Sequence, residues 1–419
     1  MRDILRGEHP EASVSISAEV LREYREYERS VTTLVDAAVK PRVSHYLARI
    51  SGRLAETSPR AVFSVMTSNG GMLSAEAVLE RPISTVLSGP AAGVLGAALV
   101  TRAAGHERVI TLDGGGTSTD VSVVLRGEPT LTTEGAVGRH PLKAPMIDIV
   151  TVGAGGGSIA WVSPEGTLKV GPRSAGAEPG PICYGRGGEE PTVTDAHAFL
   201  QRIPGRLLGG QVPLDVAAAR GGIARLARTL GLSPERTARG VLEISAWNQA
   251  NAIRQVTVKR GLDVRDFVAA TFGGSGSLLA CLLIDVLGLR GAVVPRDPGN
   301  LSAFGLLSVD VRNDEVRTHV VRDADLGLDA DADADRDAPL RTLAGGYADL
   351  EERAARTLAR EGFGQATRRY ARSADLRYFG QAFEVRVPAP PGPVDAEFRR
   401  AVVAGFHDAH ERLYGYCYR

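Results

Sequence analysis

Cysteine is scarce in this chain: three in 419 residues, at Cys183, Cys281 and Cys417, far apart and without a CxxC pair. An odd, scattered set excludes a disulfide framework and a cysteine-built zinc site, and fits a reducing compartment such as the cytoplasm. Aromatic residues are also few, at 5%, which argues against an extended base-stacking surface. Neither charge is in excess, because Lys+Arg and Asp+Glu both number 49. Long-range attraction to nucleic acid or to an acidic membrane is therefore missing, and neither is expected as a partner. No uninterrupted apolar run reaches the ~18 residues of a membrane span. Residues 1–10 hold no apolar segment of the kind a signal peptide needs.

Glycine, in contrast, is plentiful, at 49 residues. Its most telling use is Asp113-Gly114-Gly115-Gly116-Thr117-Ser118-Thr119-Asp120. Short β-branched runs lead in (109–112) and out (121–125), so the pattern reads strand, tight turn, strand. Glycines let backbone N–H groups approach an anion, and Thr117, Ser118 and Thr119 add hydroxyl donors. Asp113 would repel phosphate, so its place here implies a divalent cation, Mg²⁺, between them. An ordinary glycine-rich hairpin is the alternative.

Two further glycine turns follow. Residues 150–162 read as strand, loop Gly153–Gly157, strand, and 267–287 as strand, loop Gly273–Ser277, helix. The second is a phosphate-compatible element, but neither GxGxxG nor GxxxxGK[ST] spacing occurs, which disfavours a Rossmann site and a P-loop. Upstream, 17–56 is helical with an interruption expected at Pro41, 61–67 is strand-like, a helix starts near Ser74, and 85–87 reads as a short strand. The small residues after Ser88 predict a closely packed helix. Residues 171–191 form a long Gly/Pro loop, followed by a helix capped by Thr194 or Asp195. Helices are expected over 214–230 and 233–261, the latter carrying Arg254 and Lys259. Cys281 falls in an apolar helical pattern and is expected in the core. The DADADAD stretch within 323–337 reads as a solvated linker. The tail predicts a helix at 340–361, a strand pair and a last helix whose His407 and His410 lie on a solvated face.

The stretches SNGGMLSAE, STVLSGPAAGVLGA, TLDGGGTSTDVSVV, VGAGGGSIAWV, GPRSAGAEPGPICYGRGGEEPTVTDA, FGGSGSLLA and PGNLSAFGLLSVDVRND occur in this order. Together they resemble the hydantoinase A / 5-oxoprolinase family, which includes acetone carboxylase β-type subunits. The resemblance covers nearly the whole chain. It implies an α/β fold, an actin-like (ribonuclease H-like) ATPase core over 1–320. Residues 1–98 would be the remnant of a first lobe with its connecting helix, and 99–320 a second lobe. An acidic linker at 321–339 and a partial α+β domain at 340–419 would follow.

The resemblance also implies roles. ATP and Mg²⁺ are the expected cofactors, with Asp113 as metal ligand and Gly115, Gly116, Thr117, Ser118 and Thr119 at the phosphates. Gly273, Gly274 and Gly276 would flank the adenosine. Asp120 would orient water or the turn. Asp148, Asp195 and His197 are candidates for the substrate side or a second divalent metal, with a cap or surface turn as their alternative role. The implied activity is ATP-dependent hydrolysis of a small cyclic amide after phosphorylation of its carbonyl oxygen, with a hydantoinase B-type subunit as partner. Rival readings are a ketone-activating subunit, a small-molecule kinase of the same fold, and a non-catalytic fragment.

The chain departs from the family pattern in places. Family members begin with a further domain carrying another Asp-x-Gly-Gly-Thr hairpin. This sequence has one such hairpin, so an N-terminal truncation, or a separately encoded first domain, is expected. The family usually has His at Val150, Pro and His at Ser277 and Leu279, and Asn at His197. Those replacements leave open altered metal or acid/base chemistry, or divergence without consequence.

Overall fold

The computed structural model describes residues 2–138, 140–258, 260–323 and 338–418. Lys259 and most of the acidic stretch, residues 324–337, lie outside the described residues. The chain folds into two compact units: residues 1–88 with 132–146 and 310–419, and residues 89–131 with 147–309.

The first unit contains a 32-residue helix, Glu26–Thr57, which continues through Pro41 without a break. The expected interruption is corrected. Pro41 lies on an exposed turn, and long helical runs on both sides outlast the one hydrogen bond it removes. Residues 61–67 shorten to the strand Ser64–Met66, paired with Met72–Ser74, and Ser74 caps the helix Ala75–Glu80. The strand expected at 85–87 is absent. Pro82–Thr85 is a 3-10 turn, and Leu87 has a φ of 60°, a left-handed conformation that a strand cannot hold. In the tail, strands Arg372–Leu376 and Val385–Ala389 pair antiparallel, and helix Ala396–Tyr414 packs Phe398, Val402 and Phe406 onto them. His410 is not solvated but fully buried. Its Nδ1 meets the Tyr416 carbonyl at 2.8 Å and its Nε2 meets Gln381 at 2.9 Å, which satisfies both ring nitrogens inside the unit.

The second unit is an α/β layer. Its labelled elements, in chain order, are α1 (Ser88–Ala103), β1 (Arg108–Gly114), β2 (Thr119–Leu125), β3 (Ile149–Val152), β4 (Ser158–Val162), β5 (Leu168–Ser174), α2 (Val193–Phe199), α3 (Pro234–Val258), β6 (Val268–Phe272), α4 (Ala280–Leu287), β7 (Ala292–Val293) and α5 (Leu301–Leu306). The main sheet runs β7-β6-β1-β2, with β3 on the far side of β2. The β6–β1 pair is parallel; β1–β2 and β2–β3 are antiparallel. Ile110, Leu112, Val121 and Val123 are buried against Ile253 and Val256 of α3 and Leu283 of α4. Nearly continuous apolar strands of this kind are what a sheet buried on both faces requires.

The small residues of α1 allow close approach to α5. A side chain at Gly96 would collide with the Leu301 carbonyl at 2.7 Å. Cys281 is exposed on α4, not in the core, because the apolar run of that helix is longer than the face it buries. Among the described residues, no helix is long and apolar enough to cross a membrane.

Candidate functional site

Three glycine turns meet at one end of the sheet. The first is the β1–β2 hairpin tip, closed by the Gly115 N–H donating to the Ser118 carbonyl at 2.9 Å. The second, Gly153–Gly157, donates to it from Gly156 N–H to the Gly115 carbonyl (3.1 Å) and from Gly157 N–H to the Gly116 carbonyl (2.6 Å). The third, Gly273–Ser277, donates from Ser275 N–H to the Gly114 carbonyl and from Ser275 Oγ to the Gly115 carbonyl, both at 2.7 Å.

Several of these glycines are required by packing. A Cβ on Gly114 would press into the Gly276 backbone, and one on Gly155 would lie 2.7 Å from the Gly115 carbonyl. Gly116 and Gly274 differ. Both are exposed, and a Cβ on either would meet nothing within 4 Å. Their bare backbones leave open space that an anion can enter, and Thr117 stands exposed beside them.

Asp113 and Asp120 face each other across the hairpin as direct register partners. Burial, together with the Asp120 charge, raises the pKa of Asp113; burial also raises that of Asp120. The Thr151 hydroxyl donates to Asp120 at 2.5 Å. A divalent cation would remove the repulsion and suit this hard-oxygen pair, so the residues present fit Mg²⁺.

Not every candidate stands at the open end. Thr119 is buried, with its hydroxyl donating to the Ala154 carbonyl at 2.8 Å. Gly276 is buried against Gly114. Asp195 is fully buried. Its carboxylate accepts from the N–H groups of Ile182 (3.1 Å), Cys183 (2.7 Å) and Thr192 (2.9 Å), and from the Thr192 hydroxyl (2.8 Å). The α2 cap is Thr192, with Asp195 completing a capping box, which corrects the expected cap at Thr194 or Asp195. Asp148 pairs with Arg260. His197 is buried with neither ring nitrogen bonded among the described residues, and burial lowers its pKa to about 4. No cluster of three or more His, Cys, Asp or Glu able to hold a metal occurs among the described residues. Val150 is half-buried against the sheet core, and Leu279 is buried in a second core.

Sequence reasoning missed Gln249. It is buried on α3, and its Nε2 donates to Thr119 Oγ1 (3.1 Å) and to the Ala154 carbonyl (3.0 Å). It thereby ties the hairpin to the second turn. Thr194 does similar work through two 2.8 Å bonds to the Gly156 carbonyl. No local spacing signals either contact.

Residues 29–315 match the family described as hydantoinase/oxoprolinase. The caprolactamase subunit alpha of Pseudomonas jessenii is 35% identical over 99% of this chain and 58% of its own length. The crystal structure of the ATP-dependent caprolactamase from Pseudomonas jessenii superposes with a TM-score of 0.86, at 34% identity, over 99% of this chain and 59% of that one. A nucleotide-free acetone carboxylase structure gives a TM-score of 0.71 at 26% identity, over 99% of this chain and 58% of that one. The chain therefore spans rather more than half the length of these relatives. With most of its length matched by the family pattern, the chain belongs to the hydantoinase/oxoprolinase family.

Proposed function

We propose that this chain carries the ATP site of an ATP-dependent hydrolase of cyclic amides, built on an actin-like, ribonuclease H-like core. The observation that carries the reading is the meeting of three glycine turns beside the Asp113–Asp120 pair. Relatives described as an ATP-dependent caprolactamase and a nucleotide-free acetone carboxylase support it.

In this reading Asp113 holds Mg²⁺, while Gly115, Gly116, Thr117 and Ser118 cradle phosphate at the hairpin tip. Gly273 and Gly274 border the nucleotide from the third turn. Asp120, held by Thr151, keeps a second carboxylate in place to orient water or the turn. Asp195, Thr119 and Gly276 serve the scaffold: Asp195 pins the 182–192 segment, Thr119 joins two turns, and Gly276 lets two backbones cross. Asp148 is paired with Arg260 and His197 is enclosed, and we assign neither to the metal. Arg254 lies over the Trp247 ring at 5.1 Å.

An unactivated lactam is a poor electrophile, and ATP supplies the means to turn its oxygen into a leaving group. The chain's own task is charge neutralisation and positioning. The name "subunit alpha" carried by the caprolactamase relative supports a partner subunit, which we place as hydantoinase B-type. Likeness to acetone carboxylase supports ketone activation as a second reading. Incubation of the chain, with its partner subunit, with ATP, Mg²⁺ and a lactam tests the proposal. Lactam-dependent ADP release with a ring-opened amino acid is expected. A stable phosphorylated product would point to a kinase instead, and ADP release that only a ketone provokes would favour the second reading.

A further inference from the structure

A fourth segment reaches the hairpin tip. It begins at Ser174, the last residue of β5, and runs to Gly176. Two contacts hold it to the second glycine turn. The Ala175 N–H donates to the Gly157 carbonyl at 2.9 Å, and Ser174 is the register partner of Ser158, the residue after that turn. The approach is close. A Cβ on Gly157 would lie 3.1 Å from Ser174 Oγ and 3.0 Å from the Gly116 carbonyl. A glycine at 157 therefore lets the segment and the hairpin come together across it.

Ser174 is half-buried, with its hydroxyl 3.5 Å from that of Thr117. An O–H···O hydrogen bond of ordinary strength spans about 2.5–3.0 Å, so the two hydroxyls are neighbours that do not satisfy each other. Ser174 Oγ accepts from the Gly176 N–H at 3.1 Å. That bond fixes the oxygen and leaves its proton to give away. Thr117 is exposed, and its hydroxyl has no other partner among the described residues. Two donors 3.5 Å apart can both point at one oxygen about 2.7 Å from each. A negatively charged oxygen answers such a pair best. The place lies at the hairpin tip beside Gly116, where the space is open.

The position along the site is also defined. The third turn bonds to the hairpin at Gly114 and Gly115, whereas Ser174 meets it at Thr117. In the proposed site the third turn borders the nucleoside. The phosphate chain then ends toward Thr117 and Ser174.

We infer that Ser174 and Thr117 together grip one oxygen of the terminal phosphate of bound ATP, which makes Ser174 a residue by which the site tells ATP from ADP. The inference rests on the proposed nucleotide site and adds to it a ligand from outside the hairpin.

The test is calorimetric titration of Mg²⁺–ATP and of Mg²⁺–ADP into the full chain, with its partner subunit present and absent. Ser174→Ala should weaken ATP binding roughly tenfold or more, the effect of losing one hydrogen bond to a charged oxygen, and leave ADP binding unchanged. Thr117→Ala, at an exposed position, should shift the ratio of the two affinities in the same direction. A residue that only shaped the segment would weaken both nucleotides alike, so equal losses for ATP and ADP would overturn the inference. An ATP/ADP ratio that either substitution leaves unmoved would overturn it as well. Wild type that binds ATP while Ser174→Ala has no effect sinks this inference and spares the nucleotide reading. Wild type that binds neither nucleotide sinks both.

Discussion

Asp113 and Asp120 are direct cross-strand partners at the root of the glycine hairpin, so two carboxylates share one half-buried place. Both pKa values are raised, by burial first, and for Asp113 by the Asp120 charge as well. A carboxyl whose folded pKa exceeds its unfolded value stabilises the fold below the unfolded pKa. That contribution is lost as pH rises through the folded pKa. The window therefore opens near the ordinary aspartate value of 3.8 and extends upward.

Asp120→Asn should accordingly raise the melting temperature at neutral pH, and the gain should vanish in acid. Mg²⁺ should stabilise the wild type at neutral pH and not in acid, where the pair is protonated. Thermal melts across pH, with and without Mg²⁺, check both. A Mg²⁺ effect that persists undiminished below the carboxylate range would argue for a site elsewhere.

The glycines separate into two groups that substitution should distinguish. Gly114→Ala forces apart two crossing backbones and should cost about 1–3 kcal/mol or more of stability. Gly274→Ala enters open space, so the melting temperature should hold while ATP affinity drops. Paired melting and nucleotide-binding measurements read both effects. Similar melting temperatures for the two variants would contradict the packing explanation.

His197 is enclosed without a hydrogen-bond partner among the described residues, and burial, helped by the Arg202 charge, lowers its pKa from 6.5 to about 4. The unfolded chain then binds the extra proton first. Stability is complete above about pH 6.5 and falls as pH drops toward 4. The loss is on the order of 3 kcal/mol, since each tenfold difference in proton affinity between the folded and unfolded chain is worth about 1.4 kcal/mol. Urea unfolding of wild type and His197→Asn between these limits should show the slope flattened in the variant. Equal slopes would mean that His197 titrates normally.

Asp195→Asn should lower stability rather than chemistry. The carboxylate accepts four hydrogen bonds, and an amide would turn donors toward donors. Loss of one charge-assisted bond with a buried mismatch costs about 2–4 kcal/mol. A large drop in melting temperature is expected, with nucleotide affinity largely retained in the folded fraction. A variant that melts like the wild type but loses turnover would return Asp195 to the catalytic machinery.

The hairpin is legible in the sequence because everything that defines it is local: β-branched runs on either side and glycines between. The two other glycine turns are readable for the same reason. What joins the three is not. Gln249 lies 130 residues from Thr119, and Ser275 lies 160 from Gly115; no periodicity encodes such pairings. Local rules also misjudge residues whose surroundings decide the outcome. Pro41 stays inside a helix, Cys281 faces solvent from an apolar helix, and His410 is buried because Gln381 and the Tyr416 carbonyl answer both its nitrogens. Asp195 looks like a reactive carboxylate by type. Only the backbone N–H groups of Ile182 and Cys183, brought back by the preceding loop, show it as a brace.

The proposed function stands on the Asp113–Asp120 hairpin holding the phosphates of ATP through Mg²⁺. Calorimetric titration of ATP into the chain, with its partner subunit present and absent, puts that to the test. Mg²⁺-dependent binding that Asp113→Ala abolishes is the expected result. Affinity unchanged by that substitution, or no binding in either setting, would contradict it.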